Sequence, residues 1–573
     1  MNSATVAAIL LVGVFLLFIV SSLSNAHKAR RAARDRILAS WGKTSPNSYK
    51  IGDLQSIASC FLNRSRQGTS TFTIDDITWC DLDMDEVFLQ LNNTRCTPGE
   101  ENLYRLLREP CFDCEELHDR EVLIAYFQSH PEERIRIQMI LDKLGKKRLI
   151  NVTDYFYAGG PPRASRSNLY KFLSITALLA PLLLFVHAGL GILALVASFM
   201  TNMIVYYRTR ADVGGDLGAL SYIVRIVRCV GALLEADLEG LGAKTGKLRA
   251  CHKKISGIGK KGFYLFFVST GSLIDLVAEY VKIILLKELI DYEYLCKAAY
   301  EFREELLEVY ATIGLIDSLI ALASYRESVA FYTVPDVFPL SEDRPKSLEF
   351  VDVYHPLVKN PVLNSLSTDR SLLITGSNAS GKSTFLKAVA VNAIFAQSIH
   401  TCLAREYSAS LFAVYTSMAM KDSVRDGESY FIAEIKSLKR ILAFLNDRIP
   451  CLCFIDEVLR GTNTIERIAA SSQVLLHLAG SRSICMAATH DIELTHILEK
   501  IYRNLHFQEN IEDGRIVFDY RLYEGRATSR NAIKLLRLMG YDESIVHKAE
   551  NRAAQFATQG SWEAFPSQGS VPE

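Results

Sequence analysis

Three short stretches in the last third of the chain carry side chains suited to phosphate chemistry. The first is Gly376-Ser-Asn-Ala-Ser-Gly-Lys-Ser-Thr384. Gly376 and Gly381 free the backbone to bend so that successive N–H groups converge on phosphate oxygens. Ser377, Asn378, Ala379 and Ser380 fill the loop between them, and Thr384 follows. Lys382 is spaced to reach β- and γ-phosphates, and Ser383 to offer a hydroxyl to Mg²⁺. The elements that must position these groups flank them. Leu372 to Ile374 reads as a buried strand, and Thr384 to about Gln397 reads as a helix whose N-terminus adds partial positive charge. Strand, glycine loop and helix make the P-loop pattern. The alternative is a chance glycine turn before a helix, and a second motif downstream argues against it.

That second motif is Cys451-Leu-Cys-Phe-Ile-Asp-Glu457, an apolar strand ending in two acids about 75 residues after the loop. Asp456 is suited to hold Mg²⁺, and Glu457 to polarise the attacking water. A third apolar strand, Ile484 to Thr489, ends at His490, suited to sense a γ-phosphate or hold the water. A lone histidine at a strand end is more often non-catalytic. Three such strand ends together predict nucleotide hydrolysis on a doubly wound, mostly parallel sheet. In Asp422-Ser-Val-Arg-Asp-Gly-Glu-Ser-Tyr-Phe-Ile-Ala-Glu434, a Gly-Glu-Ser loop opens a helix. Ser429 at that helix start could meet a phosphate, and since the P-loop already supplies one helix terminus, this one suits a partner's nucleotide.

The 573 residues predict three or four domains, with cores large enough to need no staples. Sixty-four basic residues balance 64 acidic ones, which excludes a globally basic nucleic-acid binder but not a local patch. A hydrophobic share of 49% predicts membrane segments. The 12 cysteines are scattered, and Cys111-Phe-Asp-Cys114 is the only C-x-x-C. Ordinary thiols in a reducing compartment are the expectation, with a redox or zinc role as the alternative.

Residues 1–25 read as an uncleaved anchor. Thr5 to Leu23 is almost wholly apolar, with no basic stretch before it and Lys28, Arg30, Arg31, Arg34 and Arg36 after it. The length suits a spanning helix, and the charges put everything downstream in the cytoplasm. Residues 26–165 read as a cytoplasmic helical region, with helices over 102–108, 114–130 and 132–145. Residues 166–210 read as a transmembrane hairpin: no charge interrupts Phe172 to Tyr207, Pro181 and His187 to Gly191 break it, and basic residues flank both ends. Each half is about 15 to 17 residues, short for a span; a buried core hairpin is the alternative. Residues 211–333 read as further helices. Their basic cluster (Lys244, Lys247, Arg249, His252, Lys253, Lys254, Lys260, Lys261) suits nucleic acid, lipid headgroups or simply solvent. Tyr264 to Leu286 is read as a packed core helix, since Asp275, Glu279 and Lys282 interrupt it at helical spacing. Residues 334–557 alternate strand and helix, and 558–573 read as a disordered tail.

The motifs resemble those of the MutS family of DNA mismatch-repair ATPases, in the ABC/SMC-like branch of P-loop proteins. Thr375 to Thr384 is similar to the family's T-G-P-N-x-x-G-K-S-T, with Ser377 where the family has proline. Asp456 to Thr464 is similar to D-E-x-x-R-G-T-x-T, and Ala488-Thr-His490 to A-T-H. Asp422, Gly427, Ser429, Phe431 and Glu434 match D-x4-G-x-S-x-F-x-x-E; Tyr354-His-Pro-Leu-Val358 and Gly525 to Ser529 also find counterparts. The resemblance covers roughly residues 75–150, read as the start of the family's helical core, and 300–557. It implies an α/β P-loop NTPase domain C-terminal to an all-α MutS-like core that here carries transmembrane helices. It also implies ATP and Mg²⁺, hydrolysis in a homodimer with Ser429 acting on the partner's nucleotide, and DNA as a partner; the apolar stretches and their flanking charges predict a multi-pass cell-membrane protein with its ATPase in the cytoplasm.

The chain departs from the family in three respects. No room is left for the mismatch-reading domain with its Phe-x-Glu wedge, or for the connector domain. The apolar hairpin stands where the DNA clamp would be inserted. The aromatic that stacks on adenine falls near Val362, with Tyr520 able to supply a ring instead. The resemblance thus implies ATP hydrolysis and nucleotide-gated dimerisation more directly than mismatch recognition. An ATP-driven membrane scaffold or remodelling machine that never meets DNA is the alternative.

Overall fold

The computed structural model describes residues 21, 24–25, 27–44, 49–68, 70–148, 150–157, 165–236, 242–261, 280–377, 380–418, 430–445, 449–480, 482–512, 515–527 and 532–565. The anchor expected over 1–25 and the apolar stretch 264–286 lie largely outside these residues, as do Asn378, Ala379 and Ser429. The chain divides into two compact units. One comprises Met1–Ile74, Met84–Tyr332 and Gln397–His400; the other comprises Asp75–Asp83, Thr333–Ala396 and Thr401–Glu573.

Among the described residues the first unit is entirely helical. Local chemistry sets its boundaries. Pro98 and Pro131 sit in the first turns of Thr97–Arg108 and Pro131–Leu144, where a missing N–H goes unnoticed. Asp113 caps Cys114–Ser129 by accepting from the Glu115 N–H. Helix Arg303–Arg326 is buried along most of its length and packs against Thr97–Arg108, with a glycine on each side of the approach. A Cβ on Gly99 would fall 2.1 Å from Asp317 Oδ2, and one on Gly314 would fall 2.6 Å from the Pro98 carbonyl oxygen. Asp317 in turn accepts from the N–H groups of Arg95 and Cys96, both at 2.9 Å, which are donors left over at the start of the facing helix.

Helix Ser167–Leu179 continues through a 3₁₀ turn, Ala180–Phe185, and the chain then reverses into Ala188–Glu235. The second arm is one helix of 48 residues and runs straight through the boundary expected at 210. No proline interrupts it, and Gly214, Gly215 and Gly218 weaken a helix without ending it. Each arm contains an 18-residue stretch with the length and composition of a membrane-spanning helix, and only 11% of each stretch is buried; the C-terminal half of the second arm is buried inside the unit. Arg303–Arg326 also meets that length and composition, but it is buried inside the unit.

The second unit contains β1 (Asp336–Phe338), β2 (Leu348–Val353), β3 (Asn364–Thr368), β4 (Leu372–Thr375), β5 (Glu406–Ser410), β6 (Ala413–Ser417), β7 (Cys451–Asp456), β8 (Ser483–Thr489), β9 (Arg503–Glu512) and β10 (Arg515–Glu524). Four form a mixed sheet in the order β1-β5-β2-β3. The other six form a sheet in the order β10-β9-β4-β8-β7-β6, parallel except for β10 at its edge. The unit is thus a mixed α/β structure C-terminal to a helical region. β4 and β8 have every side chain buried, as befits central parallel strands.

Residues 75–83, expected to belong to the helical region, pack in this second unit. The Asp81 carboxylate accepts from the Thr416 hydroxyl at 2.7 Å and the Met418 N–H at 2.9 Å, satisfying donors at the end of β6. Lys387 reaches Asp83 at 2.6 Å. At the other end of the unit, helix Glu543–Gln559 extends into the tail expected to be disordered, and Trp562 stacks on Phe556 with centroids 4.3 Å apart.

Candidate active site

The parallel sheet brings the three sequence motifs to the C-terminal ends of adjacent strands β4, β8 and β7, the edge where open α/β sheets take ligands. After β4 the backbone turns at Gly376 (φ +151°) and Gly381 (φ +102°), and a helix runs from Lys382 to Ser398. Side chains are excluded at both glycines. A Cβ on Gly376 would sit 2.8 Å from the Phe507 carbonyl oxygen, and one on Gly381 would sit 3.0 Å from the Tyr520 ring. The Lys382 ammonium donates to the carbonyls of Gly376 and Ser377, each at 2.8 Å. Burial lowers its pKa, opposed by the charges of Asp456 and Glu457. The Ser377 hydroxyl donates to Glu509. The Ser380 hydroxyl is buried and unpartnered among the described residues.

Ser383 and Asp456 meet directly, hydroxyl to carboxylate. Two hard oxygen donors in contact at the mouth of the loop fit Mg²⁺, and the orphaned Ser380 hydroxyl, in the same loop near Gly376, fits an anion with oxygens to spare. Glu457 stands next in the chain at φ +59°. Its N–H donates to the Ala488 carbonyl at 2.9 Å, which ties the turn to β8. Its carboxylate lies 3.0 Å from His490 Nε2 on one oxygen and is held by Arg460 on the other. Burial alone would raise the Glu457 pKa, but the hydrogen bonds from His490 and Arg460 hold it down to about 2. His490 Nε2 is also 3.4 Å from the Lys382 ammonium, so one imidazole touches both the loop and the acid.

The turn carrying Glu457 is braced from helix Tyr430–Phe444. Glu434 accepts from the Leu459 N–H, and Phe431 packs so closely on Gly461 that a Cβ there would fall 2.9 Å from it. The Phe and Glu of the 422–434 motif therefore do structural work; Ser429, immediately upstream, lies outside the described residues.

Thr384 and Gly381 open onto a cavity of about 390 Å³, lined also by Tyr354, Val362, Phe385 and Tyr520. Tyr520 comes from a bulge in β10 between Phe518 and Leu522, at φ +55°. The structure thus brings Val362 and Tyr520 to one cavity beside the glycine loop. Sequence reasoning matched Arg460 and Glu434 to motifs without giving either a role, and missed the Arg467–Asp491 pair (2.6 Å), which anchors the residue after His490. The signal for Arg460 was its position three residues after Glu457, which suits an ion pair across one turn.

Residues 372–557 match the model of the family described as MutS domain V. This stretch, about a third of the chain, is similar to MutS domain V. Similar proteins agree. MutS protein homolog 4 of Homo sapiens is 30% identical over 300 residues, covering 49% of this chain and 31% of that protein. DNA mismatch repair protein MutS of Thermus thermophilus is 31% identical over 200 residues, 34% of this chain and 24% of that protein. The MutS of Thermotoga maritima is 30% identical over 265 residues, 44% of this chain and 32% of that protein. The chain thus spans a quarter to a third of the length of these MutS-family relatives.

Proposed function

We propose that the chain is a membrane-anchored MutS-like ATPase of α/β P-loop type that hydrolyses ATP as a homodimer and acts on DNA. The observation that carries this reading is the Ser383–Asp456 contact at the mouth of the glycine loop, with Glu457 and His490 paired beside it. The loop from Gly376 to Thr384 cradles the triphosphate. Lys382 exchanges its two carbonyl partners for phosphate oxygens. Mg²⁺, held by Ser383 and Asp456, would neutralise charge on the β- and γ-phosphates. Glu457 accepts the proton of a water that attacks the γ-phosphorus; the bond to the bridging oxygen breaks, and ADP leaves. His490 orients Glu457 and the water. Tyr520 offers its ring to the base in the neighbouring cavity. Ser429 completes the partner's site across the dimer. The hairpin and the N-terminal apolar stretch hold the protein in the cell membrane with the ATPase on the cytoplasmic side.

A second reading, a membrane scaffold or remodelling machine that binds no DNA, draws support from the basic cluster. Lys247 and Lys254 are committed to Glu308 at 2.9 Å and Glu305 at 2.6 Å, which leaves less free charge for phosphates. The ATPase rate of the full chain in nanodiscs, with and without homoduplex, mismatched and branched DNA, separates the two. Stimulation by DNA that disappears at high salt supports the first reading. A basal rate indifferent to every DNA supports the second. No hydrolysis above that of Lys382→Ala removes both.

Arg460→Ala gives a pH test of the site. Arg460 helps depress the Glu457 pKa, so its loss lets that pKa rise from about 2 toward the ordinary carboxylate range. A base works only while ionised, so the acid limb of the hydrolysis profile moves to higher pH in the variant. An unshifted limb counts against Glu457 as the base.

A further inference from the structure

The two arms after Ser167 differ from an ordinary transmembrane hairpin at the tip. No charged residue occurs from Phe172 to Tyr207, and the turn itself, Leu182-Leu-Leu-Phe-Val-His-Ala-Gly189, holds one polar side chain. A turn that emerged into water on the far side would carry polar residues. Here Phe185 and Val186 are the most exposed apolar side chains of the hairpin, at 90% and 82%. Four backbone N–H groups around the tip are satisfied internally. The N–H groups of Val186 and His187 both donate to the Leu183 carbonyl, at 3.1 and 3.0 Å. The Gly191 N–H donates to the His187 carbonyl at 2.9 Å, and the Leu190 N–H to His187 Nδ1 at 3.4 Å, so the one polar side chain is spent on capping. Internal satisfaction of this kind is what hydrocarbon demands. Three hydroxyls within the arms behave likewise: Thr176, Ser198 and Thr201 donate to carbonyls of their own helix.

The base of the hairpin is built differently. Tyr170 and Tyr206 lie in one cluster with Leu286 and Leu289. Arg166, Lys171, Arg208 and Arg210 flank the apolar arms at this end. Tyrosine and basic residues mark a membrane–water interface, and of the hairpin's two ends only the base has them. From this level to the tip the first arm rises about 25 Å and the second about 27 Å, just under the ~30 Å hydrocarbon core.

We propose that the hairpin is re-entrant: it enters the bilayer from the ATPase side, and its tip at Phe185 to His187 ends among lipid acyl chains without emerging. This rests on the membrane reading above and adds to it that the hairpin opens no water path across the bilayer.

The test uses the full chain inserted into preformed liposomes, with Phe185→Trp, or Val186→Trp where the first variant does not fold. The fluorescence added over wild type should be quenched by lipids brominated in their acyl chains and untouched by iodide, whether outside or trapped inside. Quenching by trapped iodide means that the tip emerges; it overturns the re-entrant hairpin and leaves the membrane reading standing. Quenching by outside iodide with no effect of brominated chains means that the hairpin lies outside the bilayer and overturns both.

Discussion

Glu457→Gln is expected to slow ATP hydrolysis by about 10²–10⁴-fold, the range general-base catalysis supplies, while ATP binding survives. The amide keeps the shape of the side chain and one oxygen toward His490, so the turn anchored by the Glu457 N–H on Ala488 stays in place. What it loses is the capacity to take a proton. Lys382→Ala should behave differently: it removes the cation of the phosphate cradle, so binding and hydrolysis fall together. Single-turnover hydrolysis alongside nucleotide affinity distinguishes the two. A Gln variant that turns over at the wild-type rate would show that Glu457 is not the base, whatever its pairing with His490 and Arg460.

That these residues could be picked from sequence follows from how local the chemistry is. A glycine loop, a strand ending in two acids and a strand ending in histidine are each written within about ten consecutive residues, and a parallel sheet aligns its strand ends without further instruction. Contacts between distant residues left no such trace. Asp81 meets Thr416 across 335 positions, and nothing in Cys80 to Phe88 announces that its first half packs beside β6. The bulge that turns Tyr520 onto Gly381 depends on the register of β10 against β9, which a strand pattern does not specify. Glu434 matched a motif, but its part as brace for the Glu457 turn appears only once the Leu459 N–H is seen against it. The hairpin was legible as an apolar block between basic flanks. Its long second arm was not, because the change from apolar to charged residues at Arg208 looks like an end and is only a change of surroundings along one helix.

The largest loss of stability is expected from Asp317→Ala, by about 2–5 kcal/mol. The carboxylate is fully buried and serves two backbone N–H groups and the Cys96 thiol, at 2.9 to 3.0 Å. Each buried donor left unmade costs ~1–3 kcal/mol, and the close approach enforced by Gly99 leaves no obvious room for water to replace the lost oxygens. Burial raises the Asp317 pKa, offset in part by those same donors. The sign of the pH dependence follows: with the folded pKa above the unfolded one, the titrating contribution is full below the ordinary carboxylate range and declines as pH rises through the folded value. Asp317→Asn cannot titrate, so the gap between wild type and Asn should narrow as pH rises, while the Ala variant stays well below both. Denaturant midpoints of the three proteins across pH read this directly. An Ala variant as stable as wild type would mean that the start of helix Thr97–Arg108 finds other acceptors, and that the contact between the two glycine-bearing helices rests on packing alone.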